Sequence, residues 1–221
     1  GALPHAGRAV SSSRRRTNSH GTAGTSSSAR RLCVAMSPCA SAPGAPMLAA
    51  DVYGDDPAGG GAFAIARALG WLVGRGARVV TVSLVGPANP LLDGAIRLAR
   101  ERGVTLVAAV GNDGPAAPPA YPASYPGVIA VTGVDGRDRL LPEAGRALHV
   151  DFAAPGADMK AASADGGKAS VRGTSFAAPL VAGRLFTRGS IDALKSEAAA
   201  PKGNKRDYGA GIICENCRNM D

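Results

Sequence analysis

The sequence predicts an α/β domain with a mostly parallel sheet covered by helices on both faces. Three observations carry this. Short apolar segments alternate with segments of helical periodicity between residues 61 and 134. The short segments are almost continuously apolar and rich in β-branched residues, as strands buried on both sides are. The chain has 221 residues and 45% apolar content, enough for one domain with a sizeable core, and its 4% aromatic content means that core is built from small aliphatic side chains.

Taken in order, residues 1–41 stand apart. They are rich in Ser, Arg, Ala and Pro and show no apolar periodicity. Six arginines and no acidic residue fall within residues 1–50, so only +2 of the net +8 belongs to the rest of the chain. Arg14-Arg15-Arg16 and Arg30-Arg31 read as a disordered basic tail rather than a nucleic-acid surface, because the remaining domain is close to neutral. Residues 1–31 lack the apolar stretch of a signal peptide, but the numbering begins at Gly1, not Met, so localisation stays open. With no run of 18 apolar residues, no membrane span is expected.

From residue 47 the pattern changes. "MLAADVY" (47–53) reads as a buried strand. "GAFAIARALGWLVGRG" (61–76) has apolar residues at 63, 65, 66, 69, 72 and 73, a helical spacing that stops at Gly74 and Gly76. "RVVTVSLV" (78–85) is a strand, and "NPLLDGAIRLARERG" (89–103) is an amphipathic helix with Asn89 as N-cap and Gly103 at its end. "VTLVAAV" (104–110) reads as a strand again, and "GVIAVTGV" (127–134) as another. Gly59-Gly60-Gly61-Ala62-Phe63-Ala64 fits G-x-G-x-x-A, but residues 54–58 separate it from the preceding strand and the next strand ends without an acid, so a loop is expected there, not a dinucleotide site. Cys33/Cys39 and Cys214/Cys217 form two close pairs whose state, thiol, disulfide or metal-bound, is open.

Parallel sheets bind ligands beyond the carboxyl ends of their strands. Two loops there carry polar chemistry. One is Gly111-Asn112-Asp113-Gly114, which by itself suits a turn. The other is Gly173-Thr174-Ser175, opening the small-residue helix "VRGTSFAAPLVAG" (171–183). A serine at a helix N-terminus lies at the positive end of the dipole with its own N–H unpaired. An amide such as Asn112 beside it makes a two-donor oxyanion hole. Pro179 lacks an N–H and leaves a carbonyl near Ser175 free.

These residues resemble a known family. "GTSFAAPLVAG" (173–183) is similar to the nucleophile segment of the subtilisin-like serine proteases, the subtilases. "VAAVGNDGP" (107–115) and "YPASYPGVIAVTGVD" (121–135) resemble their oxyanion-asparagine segment and the strand after it. "VTVSLVGP" (80–87), "VDFAAPG" (150–156) and "APGAPMLAADVYG" (42–54) match further segments in the same order. The resemblance covers residues 42–213 and implies a subtilisin-like three-layer α/β fold there, between the atypical segment 1–41 and a short tail, 214–221.

What the resemblance implies is a serine endopeptidase with Ser175 as nucleophile and Asn112 as the side-chain oxyanion donor. Ser83, Leu84, Val85 and Gly86 would hold an extended peptide, and Ala109, Val110 and Gly111 would wall the pocket for the residue before the cut. The partner expected is a peptide or protein substrate, met by a monomer. No cofactor is needed, and no loop has the ligand density to expect calcium.

The family also needs an aspartate and a histidine, in the order Asp, His, Ser. His20, in "NSHGTAGTSSSA" (18–29), resembles the start of the family's histidine helix and is the expected general base, while His149 reads as structural. No Asp or Glu precedes Asp51, so the aspartate has no counterpart, and a weak or inactive protease is expected. Either residues 1–41 are a misassembled stretch joined to a protease domain, or the chain is a degenerate homologue that binds peptides without cutting them. A lipase-like hydrolase is disfavoured, since the order around Ser175 is Gly-Thr-Ser-Phe-Ala, not G-x-S-x-G.

Overall fold

The computed structural model describes residues 9–10, 41–53, 60–163, 166–201 and 203–219. His20, Cys33, Cys39 and almost all of the basic segment lie outside the described residues.

Among the described residues, four parallel strands form the centre: β3 (Val79–Val82), β4 (Thr105–Ala109), β5 (Ile129–Val134) and β6 (Phe152–Pro155), side by side in sequence order. Register is set by pairs such as Val80 with Leu106, Ala108 with Ala130 and Val131 with Phe152. Successive side chains of a strand point to opposite faces, and β4 shows the consequence. Leu106 and Ala108 pack with Ile65 and Leu69 of α1 (Ala62–Gly74) and Ile96 of α2 (Pro90–Glu101). Val107 and Ala109 pack on the other side with Leu180 and Val181 of α3 (Thr174–Arg188). Helices thus cover both faces, as the sequence predicts. The helix over 89–103 is capped as expected: Asn89 Oδ1 accepts from the Leu91 and Leu92 N–H groups at 3.0 and 3.2 Å. Its missing donor makes Pro90 harmless at the first helical position.

The expected buried strand over 47–53 is corrected by the structure. Only β2 (Ala49–Ala50) is extended, paired antiparallel with β1 (Ala9–Val10), and it does not join the four-stranded sheet. The cause is local. Asp51 Oδ1 accepts the Tyr53 N–H at 3.0 Å and turns the backbone out of a ladder, leaving Leu48 and Tyr53 exposed.

Beyond β6, the hairpin of β7 (Met159–Ala162) and β8 (Lys168–Val171) leads into α3, followed by α4 (Ile191–Glu197) and α5 (Lys205–Tyr208). Residues 214–219, set apart as a tail by the sequence, pack against the domain. Cys214 and Cys217 are joined by a disulfide, and Arg218, all but buried, donates to the carbonyls of Ala157 (2.7 Å) and Asp135 (2.5 Å).

One ion-pair cluster ties α3 to α4. Glu197 receives Arg184 Nε at 2.6 Å, Arg184 Nη2 at 2.7 Å and Arg188 Nε at 2.5 Å. Burial alone would raise the Glu197 carboxyl, but the two guanidinium groups outweigh it and hold the pKa below the ordinary range. A carboxylate whose pKa is depressed on folding adds stability above its unfolded pKa and loses it as pH falls through the folded value. Glu197→Ala is therefore expected to cost about 1–3 kcal/mol at neutral pH. Thermal melts of both proteins should show that deficit shrinking below the ordinary carboxylate range; a deficit independent of pH would mean the side chain acts by packing alone.

Candidate active site

α3 begins at Gly173, whose φ of 129° and ψ of 158° few L side chains tolerate. A Cβ there would stand 3.2 Å from Asn112 Nδ2. Glycine is favoured by the backbone angle, and a side chain there would also press on the amide beside it. The Gly173 N–H donates to Gly156 O at 2.7 Å, which ties the helix start to the loop after β6. Arg172, just before it, forks onto Glu143 (2.6 and 2.8 Å) and holds that carboxyl below its ordinary range.

Thr174, fully buried, joins the two polar loops. Its N–H donates to Asn112 Oδ1 at 2.9 Å, and its hydroxyl donates to Gly111 O at 3.0 Å. The first contact fixes the amide: only the oxygen can accept from an N–H, so the NH₂ group of Asn112 is turned away from Thr174 and left to donate. The sequence singled out Asn112 and Gly111 but not Thr174. A hydroxyl residue at the first position of a helix, next to a glycine N-cap, was the available signal.

Ser175 follows, half-buried at the second helical position. Among the described residues its N–H has no acceptor, as the first turn of a helix allows. The first turn carries no acidic residue to offset the positive end of the dipole. Pro179 would carry the N–H that bonds the Ser175 carbonyl in a regular helix, but has none. That carbonyl instead accepts from Ser83 Oγ at 3.0 Å. Ser83 lies just past the end of β3, so the structure brings Ser175, Ser83, Asn112 and Gly111 to one sheet edge.

The remaining segments are more constrained than the sequence implies. Gly86 exchanges both backbone bonds with Tyr121, at 2.9 and 3.0 Å, so its N–H and C=O are already satisfied. Leu84 packs against the α1–α2 core. Ala109 and Val110 are buried, with their side chains in the cores on opposite faces of the sheet, so only their backbone lies beside Gly111. Val85 is exposed, and its side chain stands over Gly111.

His149 is at the far edge. Its Nε2 donates to Val128 O at 2.9 Å and lies 3.4 Å from Asp151 Oδ2, beside the amino ends of β5 and β6. Ser175 lies at the carboxyl ends of β3 and β4, so His149 holds strand ends together, as its structural reading anticipates. Among the described residues no group of three His, Cys, Asp or Glu side chains is placed to hold a metal ion. Nor is any helix long and apolar enough to cross a membrane.

The family model described as "Subtilase family" matches residues 10–186. The chain belongs to the subtilase family. Subtilisin BL from Lederbergia lenta is 35% identical to this subtilase over 183 residues, covering 78% of the chain and 67% of that protein. M-protease from Shouchella clausii (strain KSM-K16) is 31% identical over 182 residues, 78% of the chain and 47% of that protein. This subtilase therefore spans between about half and two thirds of the length of those relatives. Among solved structures, the patellamide maturation protease PatA aligns with a TM-score of 0.63 and 27% identity over 76% of this chain and 71% of PatA. The prenylagaramide maturation protease PagA aligns at 0.60 and 27%, over 72% of this chain and 66% of PagA. The family match starts at residue 10, so it runs through most of the basic segment and includes His20.

Proposed function

We propose that this subtilase chain is a serine endopeptidase machinery in which Ser175 is the nucleophile. Its Oγ attacks a peptide carbonyl while the proton passes to His20, forming a tetrahedral intermediate. The negative oxygen is met by two donors, the Ser175 N–H and Asn112 Nδ2. Collapse expels the amine with the proton from the imidazole, and water then cleaves the acyl-enzyme by the same steps in reverse order. One observation carries the reading: the 2.9 Å bond from the Thr174 N–H to Asn112 Oδ1, which leaves the amide NH₂ to donate at a helix start where, among the described residues, the Ser175 N–H has no acceptor. Ser83–Val85 are the backbone groups left to pair with an extended peptide, since Gly86 is taken by Tyr121. The partner is a peptide or protein chain, met by a monomer and without nucleic acid or cofactor.

In a variant whose residues 1–41 are replaced by the matching segment of an active subtilase, Asn112→Ala is expected to lower kcat by about 10²–10³ with little change in KM. That magnitude is the one known for a subtilisin, carried over to this chain. A large rise in KM at unchanged kcat would mean that Asn112 only shapes the loop.

A second reading, for residues 1–221 as they stand, is favoured by the absence of Asp and Glu from residues 1–50. In it the chain binds extended peptides at Ser83–Val85 without cutting them. The two readings part on whether Ser175 reacts with a serine-directed phosphonate, which requires an activated hydroxyl.

A further inference from the structure

We infer that Val85 fills the space for the residue before the cut, so that this chain accepts only a small side chain there. The inference rests on the active site proposed above. The two segments expected to face each other across that residue are Leu84–Gly86 and Ala109–Gly111. Between them the structure holds a side chain. A Cβ built on Gly111 would lie 3.3 Å from Val85 Cγ1, 3.5 Å from Cγ2 and 3.7 Å from Cβ, and these three atoms are its nearest neighbours. The isopropyl group therefore stands directly over the glycine, which is itself buried, while Val85 remains 43% exposed on its outer side. Two concavities on the described surface, at Pro115–Pro119 with Arg146 and between α1 and α2, are lined by neither segment.

Neither wall is free to withdraw. Val85 is bracketed by two anchors: Ser83 Oγ on Ser175 O at 3.0 Å, and the two-way backbone bridge of Gly86 with Tyr121. Gly111 O accepts from both Thr174 Oγ1 (3.0 Å) and the Gly145 N–H (2.8 Å). Gly111 itself has φ of 89°, and a Cβ on Gly145 would collide with the Val110 carbonyl, so the loop behind the glycine is close-packed as well. Opening the slot by backbone movement breaks several of these bonds at once. What remains is the side chain of Val85, β-branched and limited to few rotamers. A methyl or hydrogen on the substrate fits beside it; a benzyl group meets the two Cγ atoms.

The test uses the full 221-residue chain and its Val85→Gly and Val85→Ala forms. Each is incubated with two peptidyl diphenyl phosphonates that differ only in carrying alanine or phenylalanine at the reacting position. Ser175 Oγ bonds to phosphorus, phenoxide leaves, and the serine proton leaves with it as phenol. Adducts are timed by intact mass and placed by peptide mapping, and folding is checked by circular dichroism. The unmodified chain should be labelled at Ser175 at least about tenfold faster by the alanine probe, as a pocket one group too small dictates. Val85→Gly should reverse the order, with Val85→Ala between; if the glycine form does not fold, the alanine form carries the test. A phenylalanine probe that matches or beats alanine on the unmodified chain overturns the inference. So does a ratio unchanged in both variants while Ser175 is still labelled. Absence of any adduct at Ser175 in all three proteins refutes the nucleophile itself, and the inference falls with it.

Discussion

Replacing residues 1–41 by the matching segment of an active subtilase is expected to raise hydrolysis of a chromogenic peptide by about 10⁴-fold over the chain as it stands. The reasoning is electrostatic. In the proposed mechanism the imidazole becomes a cation when Ser175 loses its proton, and a carboxylate on its other nitrogen would both fix the tautomer and stabilise that charge. Within residues 1–221 no Asp or Glu precedes Asp51, so in the proposed order Asp, His, Ser these residues offer His20 no carboxylate. In a serine protease of another fold, exchanging that aspartate for asparagine costs about 10⁴ in kcat, and the same loss is carried over here. Both proteins are compared by circular dichroism, so that a gain in folding is not read as a gain in chemistry. An unmodified chain that turns over at ordinary enzyme rates of about 1–10³ s⁻¹ would contradict this, and would mean that an acid after residue 50 serves the histidine.

The parallel sheet is legible at β3, β4 and β5, because each is a short apolar run and each helix between them has its own stop or cap; β6 (Phe152–Pro155) is not read as a strand in the sequence. Asn89 with Pro90 starts its helix, and Gly76 and Gly103 take positive φ just past the helix ends, whereas Gly74 stays inside its helix. The segment 47–53 is misread for a local reason: Asp51 looks like an interruption on an apolar strand, but its carboxylate takes the Tyr53 N–H and ends the strand. Arg218 is hidden differently. It directly follows Cys217, and nothing in the sequence says that backbone carbonyls from two loops draw it inward.

At the candidate site, Ser175 is legible from its place at a helix start, and Asn112, which by itself suits a turn, stands out only beside that serine. Thr174 is not legible, since nothing in the sequence says that its N–H meets an amide 62 residues earlier. Val85 is named in the sequence as part of the substrate strand, but its packing on Gly111 is hidden for the same reason. A valine at a strand end is ordinary until the register of β3 and β4 sets it against Gly111.

Ser175→Ala is expected to remove all fluorophosphonate labelling and all peptide hydrolysis above background. The alanine keeps the helix start intact, because the bonds that build it come from Thr174, Gly173 and the Ser175 carbonyl, not from the serine hydroxyl. Loss of function then reports the hydroxyl alone. A nucleophile is the group whose removal costs most: in a subtilisin the corresponding loss is about 2 × 10⁶ in kcat. The most direct measurement is fluorophosphonate labelling followed by peptide mapping, on the unmodified chain, the 1–41 replacement and the Ser175→Ala form of each. The account predicts a single adduct on Ser175, faster in the replacement, and none in either alanine form. An adduct on another serine, an adduct that persists in Ser175→Ala, or none at all in a folded replacement protein would contradict it.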